Sequence, residues 1–124
     1  MTRGLVLALT FGGVAFAHAA TAPAAPEREM RAIFLVHPGP ANPKGASLLD
    51  NPGIGEHARH MIKLHDMGKM VRGGPFTDGA GGLGIAAKGV TPDELARLLA
   101  EDPAAKSGLI VYEVKSWMIG VGKP

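Results

Sequence analysis

Three of the chain's five histidines lie in the stretch HARHMIKLH, His57 to His65, and the chain contains no cysteine. Imidazole can act as a base near neutral pH and is also the commonest metal ligand in proteins. The stretch therefore allows three interpretations: metal ligands, an acid–base group, or ordinary residues of a helix. The direction in which each histidine points distinguishes between them.

The apolar residues around these histidines repeat with the period of an α-helix, from position 52 or 53 to position 67. At about 100° per residue, His57 lies in the first turn at the margin of the apolar face, and His60 lies among charged residues. His65 is predicted to face the core as a packing residue. The predicted buried face consists of Ala58, Met61, Ile62, Leu64 and His65. The three histidines are therefore not expected to form one cluster.

A metal site would need two or three nitrogen or oxygen ligands that converge on one point. His57 and His60 lie about 60° apart around the helix, and His37, at the end of a predicted strand, could join them. The neighbouring sequence has no His-x-Glu pattern and no cysteine pair. We therefore predict no metal and no cofactor, and keep metal binding by these three histidines as an alternative.

Strand-like segments flank this helix. The run RAIFLVH, positions 31–37, is rich in branched and aromatic residues and predicts a buried strand. Positions 38–53 carry four prolines and three glycines, which predicts an irregular connection. KMVRGGPF at 69–76 and LGIAAKG at 83–89 predict two antiparallel strands, joined by the turn TDGAGG.

The last third of the chain predicts a second helix and a final strand. The sequence at 91–94, Thr-Pro-Asp-Glu, gives a threonine cap and a proline at the first helical position, and the helix should run to about Glu101. Asp102-Pro103 closes it, and 109–120 is a long strand. The order β-α-β-β-α-β predicts a ferredoxin-like α+β fold, with a four-stranded antiparallel sheet and both helices on one face. Because the other face would be apolar and open, we expect a homodimer packed through it.

The first 19 residues have the pattern of a signal peptide, with a basic residue near the start, an apolar run at 5–17 and small residues before position 20. The run is shorter than the roughly 20 residues of a membrane-spanning helix. We therefore divide the chain into a signal peptide at 1–19, a flexible leader at 20–29 and one domain at 30–120. The expected location is secreted or periplasmic, with no membrane association after cleavage.

Charge and composition narrow the range of partners. The chain has 13 lysines and arginines against 11 acids, and cleavage of the signal peptide would remove Arg3. A nearly neutral domain has no electrostatic reason to bind nucleic acid. The absence of cysteine excludes disulfides and thiol chemistry. A second copy of the chain and a small molecule remain as the expected partners.

Three motifs together resemble the YCII-related, or YciI-like, family. They are the helix that begins with His57, the segment GGPFTDGAGGLGI at 73–85, and the segment EDPAAKSGLIVYEVKSW at 101–117. The resemblance extends over about 30–118. It implies a dimeric α+β barrel of ferredoxin-like subunits, and activities similar to muconolactone isomerases or to dehydrochlorinases of hydroxylated aromatic rings. It also implies an active-site dyad of a helix-start histidine and the aspartate of an Asp-Pro step, here His57 and Asp102. The signal peptide and the insertion at 38–53 depart from the family's pattern.

His57 has the properties of a general base. The positive end of the helix dipole disfavours an imidazolium, and a carboxylate from Asp102 could hold the second ring nitrogen. This chemistry suits proton abstraction or transfer on a small, cyclic, unsaturated substrate, as in a lyase or isomerase. Two alternatives stay open. In one, His57 only bonds the sheet edge and Asp102 only caps the following turn; in the other, the protein is a non-catalytic periplasmic binder of a small ligand.

Five further residues are predicted to contact a substrate. Arg72 could bind an anion, because it precedes a segment containing Gly74 and Pro75 where backbone and pocket should meet. Tyr112 and Trp117 on the last strand are predicted to contact the pocket or the second subunit, with packing in the dimer favoured. The glycines of this segment join two strands, so they predict a hairpin and not a phosphate-binding loop.

Overall fold

A computed structural model describes residues 8, 10, 12–15 and 27–122. Most of the predicted signal peptide and leader lies outside these residues. The described chain contains four strands: β1 Met30–Pro38, β2 Met70–Pro75, β3 Gly82–Ala86 and β4 Ile110–Met118. It also contains three α-helices, α1 Ile54–Asp66, α2 Pro92–Ala100 and α3 Pro103–Lys106, and a short 3₁₀ helix at Leu48–Asp50. None of these helices has the length and apolar character required to cross a membrane.

The strands form one antiparallel sheet in the order β2-β3-β1-β4. This is the ferredoxin-like α+β arrangement that the sequence predicts. The short helix α3 is an addition, since the sequence predicted only a turn after Asp102-Pro103. Asp102 caps this helix by accepting a hydrogen bond from the Ala104 backbone N–H.

Side chains of β1 alternate between the two faces of the sheet, because successive residues of a strand point in opposite directions. Ala32, Phe34 and Val36 are buried beneath the helices, whereas Ile33 and Leu35 on the opposite face stay partly exposed. The helices cover only one face, as predicted. The core on that face consists of Ala32, Phe34, Val36, Leu48, Leu64, Met70, Ala86, Leu95, Leu99, Ala104, Leu109 and Ile110.

The start of α2 follows ordinary capping chemistry. Thr91 Oγ1 accepts a hydrogen bond from the Glu94 N–H at 3.1 Å, and Pro92 takes the first helical position, as the sequence predicts. Helix α1 begins after Gly53, whose own N–H is bound by the Asn51 side chain at 2.9 Å. Helix α1 itself has no side-chain cap; the Asn51 turn leads directly into its first turn, which contains His57.

The predicted buried face of α1 is wrong for two of its histidines. His60 is buried, with only 7 % of its surface exposed, and its Nε2 lies 2.8 Å from the Leu98 carbonyl oxygen. His65 was expected in the core, but its side chain is 62 % exposed. The prediction placed the buried face around Ala58 and Ile62, and both residues are exposed. The helix is rotated about its axis relative to the predicted orientation, so that these two residues line a cavity and do not enter the core.

Candidate active site

His57, Asp102 and Tyr112 form one hydrogen-bonded cluster between the helices and the sheet. His57 Nδ1 lies 2.7 Å from Asp102 Oδ2, and the Tyr112 hydroxyl donates to the same oxygen at 2.5 Å. The hydroxyl is also 3.1 Å from His57 Nδ1, so the three polar atoms form a closed triangle. Three separate elements contribute these residues: α1, the α2–α3 junction and β4.

The two oxygens of Asp102 have different roles. Oδ1 accepts the Ala104 N–H at 2.8 Å and caps α3, while Oδ2 accepts the bonds from His57 and Tyr112. The side chain is completely buried. The sequence offered the cap and the contact to His57 as alternatives, and the structure shows both at once.

The electrostatics of the cluster favour an ionised Asp102. Burial alone would raise the pKa of this carboxyl, but the hydrogen bonds from His57, Tyr112 and the Ala104 N–H outweigh burial and hold the pKa below its usual value. Burial, followed by the bond to Asp102, raises the pKa of Tyr112 well above that of a free phenol. Near neutral pH the cluster therefore holds a carboxylate and a protonated phenol.

An ionised Asp102 fixes the tautomer of His57. A carboxylate can only accept hydrogen bonds, so the nitrogen that faces it, Nδ1, must carry a proton. In the neutral ring the lone pair is then on Nε2. Nε2 has no hydrogen-bond partner among the described residues, and no side-chain nitrogen or oxygen among them is both buried and unpartnered. Nε2 is therefore an accessible proton acceptor.

His57 faces a cavity of about 340 Å³ between α1 and the sheet. Among the described residues that line this cavity, His57 has the only polar side chain. The 3₁₀ helix of the 38–53 connection contributes two leucines to the wall. The other lining residues are Phe34, Val36, Leu48, Leu49, Ile54, Gly55, Ala58, Met61, Ile62, Gly73, Gly74, Pro75, Gly81, Gly82 and Leu83. The arrangement places one base in an otherwise apolar space.

The cavity exists because the β2–β3 hairpin has little side-chain volume. Its floor is the backbone of four glycines at 73–74 and 81–82. A fifth glycine, Gly84, lies against the ring of Phe34, and a Cβ at this position would overlap that ring. Phe34 in turn packs edge-on against Tyr112, with ring centroids 5.4 Å apart. The glycines therefore support the cluster as well as leaving space beside it.

A second depression of about 650 Å³ lies on the loop at 38–47 and on residues 78–80 of the hairpin. It is larger, but it is an open surface feature and none of the cluster residues lines it. We assign the candidate site to the smaller cavity, since a catalytic group must reach the bound molecule.

The structure brings together only some of the predicted substrate contacts. Gly74 and Pro75 line the cavity, and Tyr112 lies beneath it in the cluster. Arg72 pairs with Ile85 and Trp117 with Arg31 on the opposite face of the sheet, so neither reaches this cavity within one subunit. The preferred interpretation of Tyr112, packing in a dimer, is wrong because its side chain points toward the helices. Its spacing of five residues from Trp117 is the signal that could have shown this, since such residues face opposite sides of a strand.

The histidines of the metal alternative do not converge. His37 lies on the open face of the sheet, 2.8 Å from Glu113, and His57 is bound to Asp102. His60 is directed at the Leu98 carbonyl. In the described part of the chain no group of three or more histidines, aspartates or glutamates has the arrangement of a metal site. The shared site proposed for His37, His57 and His60 is therefore not formed.

Comparisons with models of protein families, with curated proteins and with solved structures gave no match. The resemblance to the YciI-like family is thus carried by the three sequence motifs alone. What the structure itself establishes is the ferredoxin-like α+β fold, with a hydrogen-bonded His57–Asp102–Tyr112 cluster beside an apolar cavity.

Proposed function

We propose that this chain is a small-molecule lyase or isomerase of the YciI-like type, in which His57 is the general base and Asp102 orients it. One observation carries the proposal: Nδ1 of His57 is held by a buried carboxylate, while the ring lines an apolar cavity and its Nε2 has no hydrogen-bond partner among the described residues. A base oriented in this way by a third group is the common arrangement for proton transfer. Tyr112 helps to keep Asp102 ionised and in place.

The proton-transfer step follows from this geometry. Nε2 takes a proton from a carbon or oxygen of the substrate, and the ring becomes an imidazolium paired with Asp102. The electron pair left on the substrate either expels a leaving group, as in a lyase, or shifts a double bond. In the lyase the imidazolium then releases its proton to water, and in the isomerase it returns the proton to another carbon of the substrate. Neither route changes the oxidation state of the protein.

The test is a screen of lactones and of halogenated hydroxyaromatic compounds, followed by NMR in deuterated water. We expect proton exchange or turnover with the unaltered protein, and a loss of about 10² to 10⁴ in rate for His57→Gln, which is the usual contribution of a general base. His65→Gln is the matched control, because His65 is an exposed histidine on the same helix. Equal rates for the two variants would show that His57 is not the base.

A second candidate, supported by the apolar cavity, is a non-catalytic binder of a small ligand. Such a protein needs the cavity but not the accessible Nε2. In that case His57→Gln would alter affinity at most modestly, and no compound in the screen would exchange protons. The same experiment therefore separates the two candidates.

We also propose that a second copy covers the open face of the sheet and that the protein is exported. The open face is supported by its exposed apolar side chains, among them Leu83, Val111 and Trp117. Export is supported by the signal-peptide pattern alone. Its test is the N-terminal sequence of the protein recovered from a bacterial periplasm, which we expect to begin at Ala20. A chain recovered only inside the cell with its first residues intact would contradict export.

A further inference from the structure

The lining of the cavity limits the molecules that it can hold. No lysine or arginine belongs to the described lining. The basic residues at and just before β2 do not bring a positive charge to the cavity. Lys69 is paired with Glu94 at 2.7 Å, and Arg72 is on the other face of the sheet. Moving an unpaired anion from water into such a cavity costs several kcal/mol. An anionic ligand therefore has no described partner here other than His57.

His57 itself also favours an uncharged ligand. The ionised Asp102 contacts the ring of His57, so its negative charge is separated from the bound molecule only by that ring. A neutral ring with the proton on Nδ1 offers a lone pair at Nε2, which attracts a hydrogen-bond donor and repels a carboxylate. The ligand group next to Nε2 must therefore be an O–H, N–H or acidic C–H.

The volume sets the size of the ligand. Liquid water takes about 30 Å³ per molecule. The 340 Å³ of the cavity therefore suits a molecule of roughly ten non-hydrogen atoms. This is the lower end of the range for ligand pockets in proteins. A single substituted ring fits this volume.

We infer that the site takes an uncharged, mostly apolar molecule about the size of one substituted ring, with one hydrogen-bond donor directed at His57 Nε2. The inference deepens the proposed function and rests on it for the role of Nε2. It also reverses the expectation that Arg72 would bind an anionic substrate in this pocket. An anion could bind only with the imidazolium form of His57.

The test compares benzamide with benzoate, which have the same shape and differ in charge and in the donor. Each is titrated into ¹⁵N-labelled protein at about pH 7, and the amide signals of the four floor glycines are followed. We expect benzamide to bind at least tenfold more tightly, which corresponds to about 1.4 kcal/mol. Equal or tighter binding of benzoate, or no shift with either compound at millimolar concentration, would overturn the inference.

Two alanine variants show whether the probe occupies this cavity. Ala58 is an exposed residue that lines it, and Ala96 is an exposed alanine on α2 that does not. Ala58→Phe should fill the space and weaken benzamide binding at least tenfold, while Ala96→Phe should leave it unchanged. Unchanged binding in Ala58→Phe would place the probe elsewhere and contradict the inference.

The His57→Gln variant keeps this result separate from the proposed function. Gln retains most of the cavity but is not a base. Tighter binding of benzamide than of benzoate by the unaltered protein, together with turnover that survives His57→Gln, would reject base catalysis and leave the ligand class standing. Loss of turnover in His57→Gln, with benzoate bound more tightly than benzamide, would reject the ligand class alone.

Discussion

Asp102 joins a structural role to a chemical one through its two carboxylate oxygens. The Ala104 N–H holds Oδ1 at 2.8 Å, so the carboxylate cannot rotate without losing the cap of α3. This restraint directs Oδ2 at His57 and Tyr112. The residue that caps α3 therefore also orients the proposed base, His57.

The same restraint predicts the effect of Asp102→Asn. With the amide oxygen held by Ala104, the amide nitrogen must take the place of Oδ2 and donate to His57 Nδ1. The proton of the neutral ring should then move to Nε2, which removes the accessible lone pair. Imidazole ¹⁵N shifts report the tautomer: we expect Nδ1–H in the unaltered protein and Nε2–H in the variant. An Nε2–H ring in the unaltered protein would contradict the proposed base.

Tyr112→Phe tests the bond that Tyr112 donates to the buried carboxylate. A hydrogen bond to a charged group contributes about 1.5 to 3 kcal/mol, so the variant should lose about that much free energy of unfolding near neutral pH. The depressed pKa of Asp102 contributes stability above the unfolded pKa of about 3.9, and this contribution is lost as the pH falls further. The difference between the two proteins should therefore shrink below about pH 4.

The alkaline side of this comparison follows from Tyr112 itself, which is the chain's one tyrosine. Its pKa is raised in the folded protein, so the unfolded chain ionises first, above about pH 10, and the stability that Tyr112 provides declines from there. Phenylalanine has no such titration, so the difference should shrink above about pH 10 as well. Urea unfolding across the pH range measures both ends, and a difference independent of pH would show that Tyr112 acts only by packing.

At the scale of elements, the cap of α2 and the β2–β3 hairpin could be predicted because they depend on local chemistry, and the sheet could be predicted from the order of the elements. A threonine followed by proline and two acids favours a helix start, and Asp-Gly between two strand-like segments favours a hairpin. The rotation of α1 could not be predicted, because Ala58 and Ile62 look like core residues until the cavity beside them is known. The bond from His60 to the Leu98 carbonyl likewise depends on how two helices pack. Sequence spacing alone could have separated the faces of Tyr112 and Trp117.

Glycines of the β2–β3 hairpin leave room for the aromatic rings beneath the site. Gly84→Ala tests this packing. The added methyl would overlap the ring of Phe34 and, through it, displace Tyr112. Overpacking of this kind typically costs about 1 to 3 kcal/mol. Gly74→Ala is the matched control, since a Cβ there meets nothing within 4 Å. Urea unfolding should show a loss for Gly84→Ala and none for Gly74→Ala, and equal stability of both variants would contradict the packing argument.

Among the residues that the structure describes, the sheet has one covered and one uncovered side. The helices bury one face of the sheet, while the opposite face presents Ile33, Leu35, Leu83, Ile85, Val111 and Trp117 beside the exposed His37–Glu113 pair. Charged side chains of Arg31, Arg72, Glu113 and Lys115 stand among these apolar ones, and exposed apolar surface with a polar rim often marks a protein interface. Arg72 and Trp117, which do not reach the cavity, lie on this face and would meet a second copy there.

Leu35→Lys tests whether this face forms a homodimer. Leu35 lies at the centre of the sheet beside Glu113, so a lysine has an acidic neighbour and the subunit should still fold. Burying that lysine against a second apolar sheet would cost several kcal/mol, which exceeds what a modest interface provides. Sedimentation velocity should give a dimer for the unaltered protein and for Val121→Lys, whose position is 94 % exposed outside the sheet. The Leu35→Lys protein should be a monomer with unchanged circular dichroism, and a dimer that persists in this variant would exclude the open face as the interface.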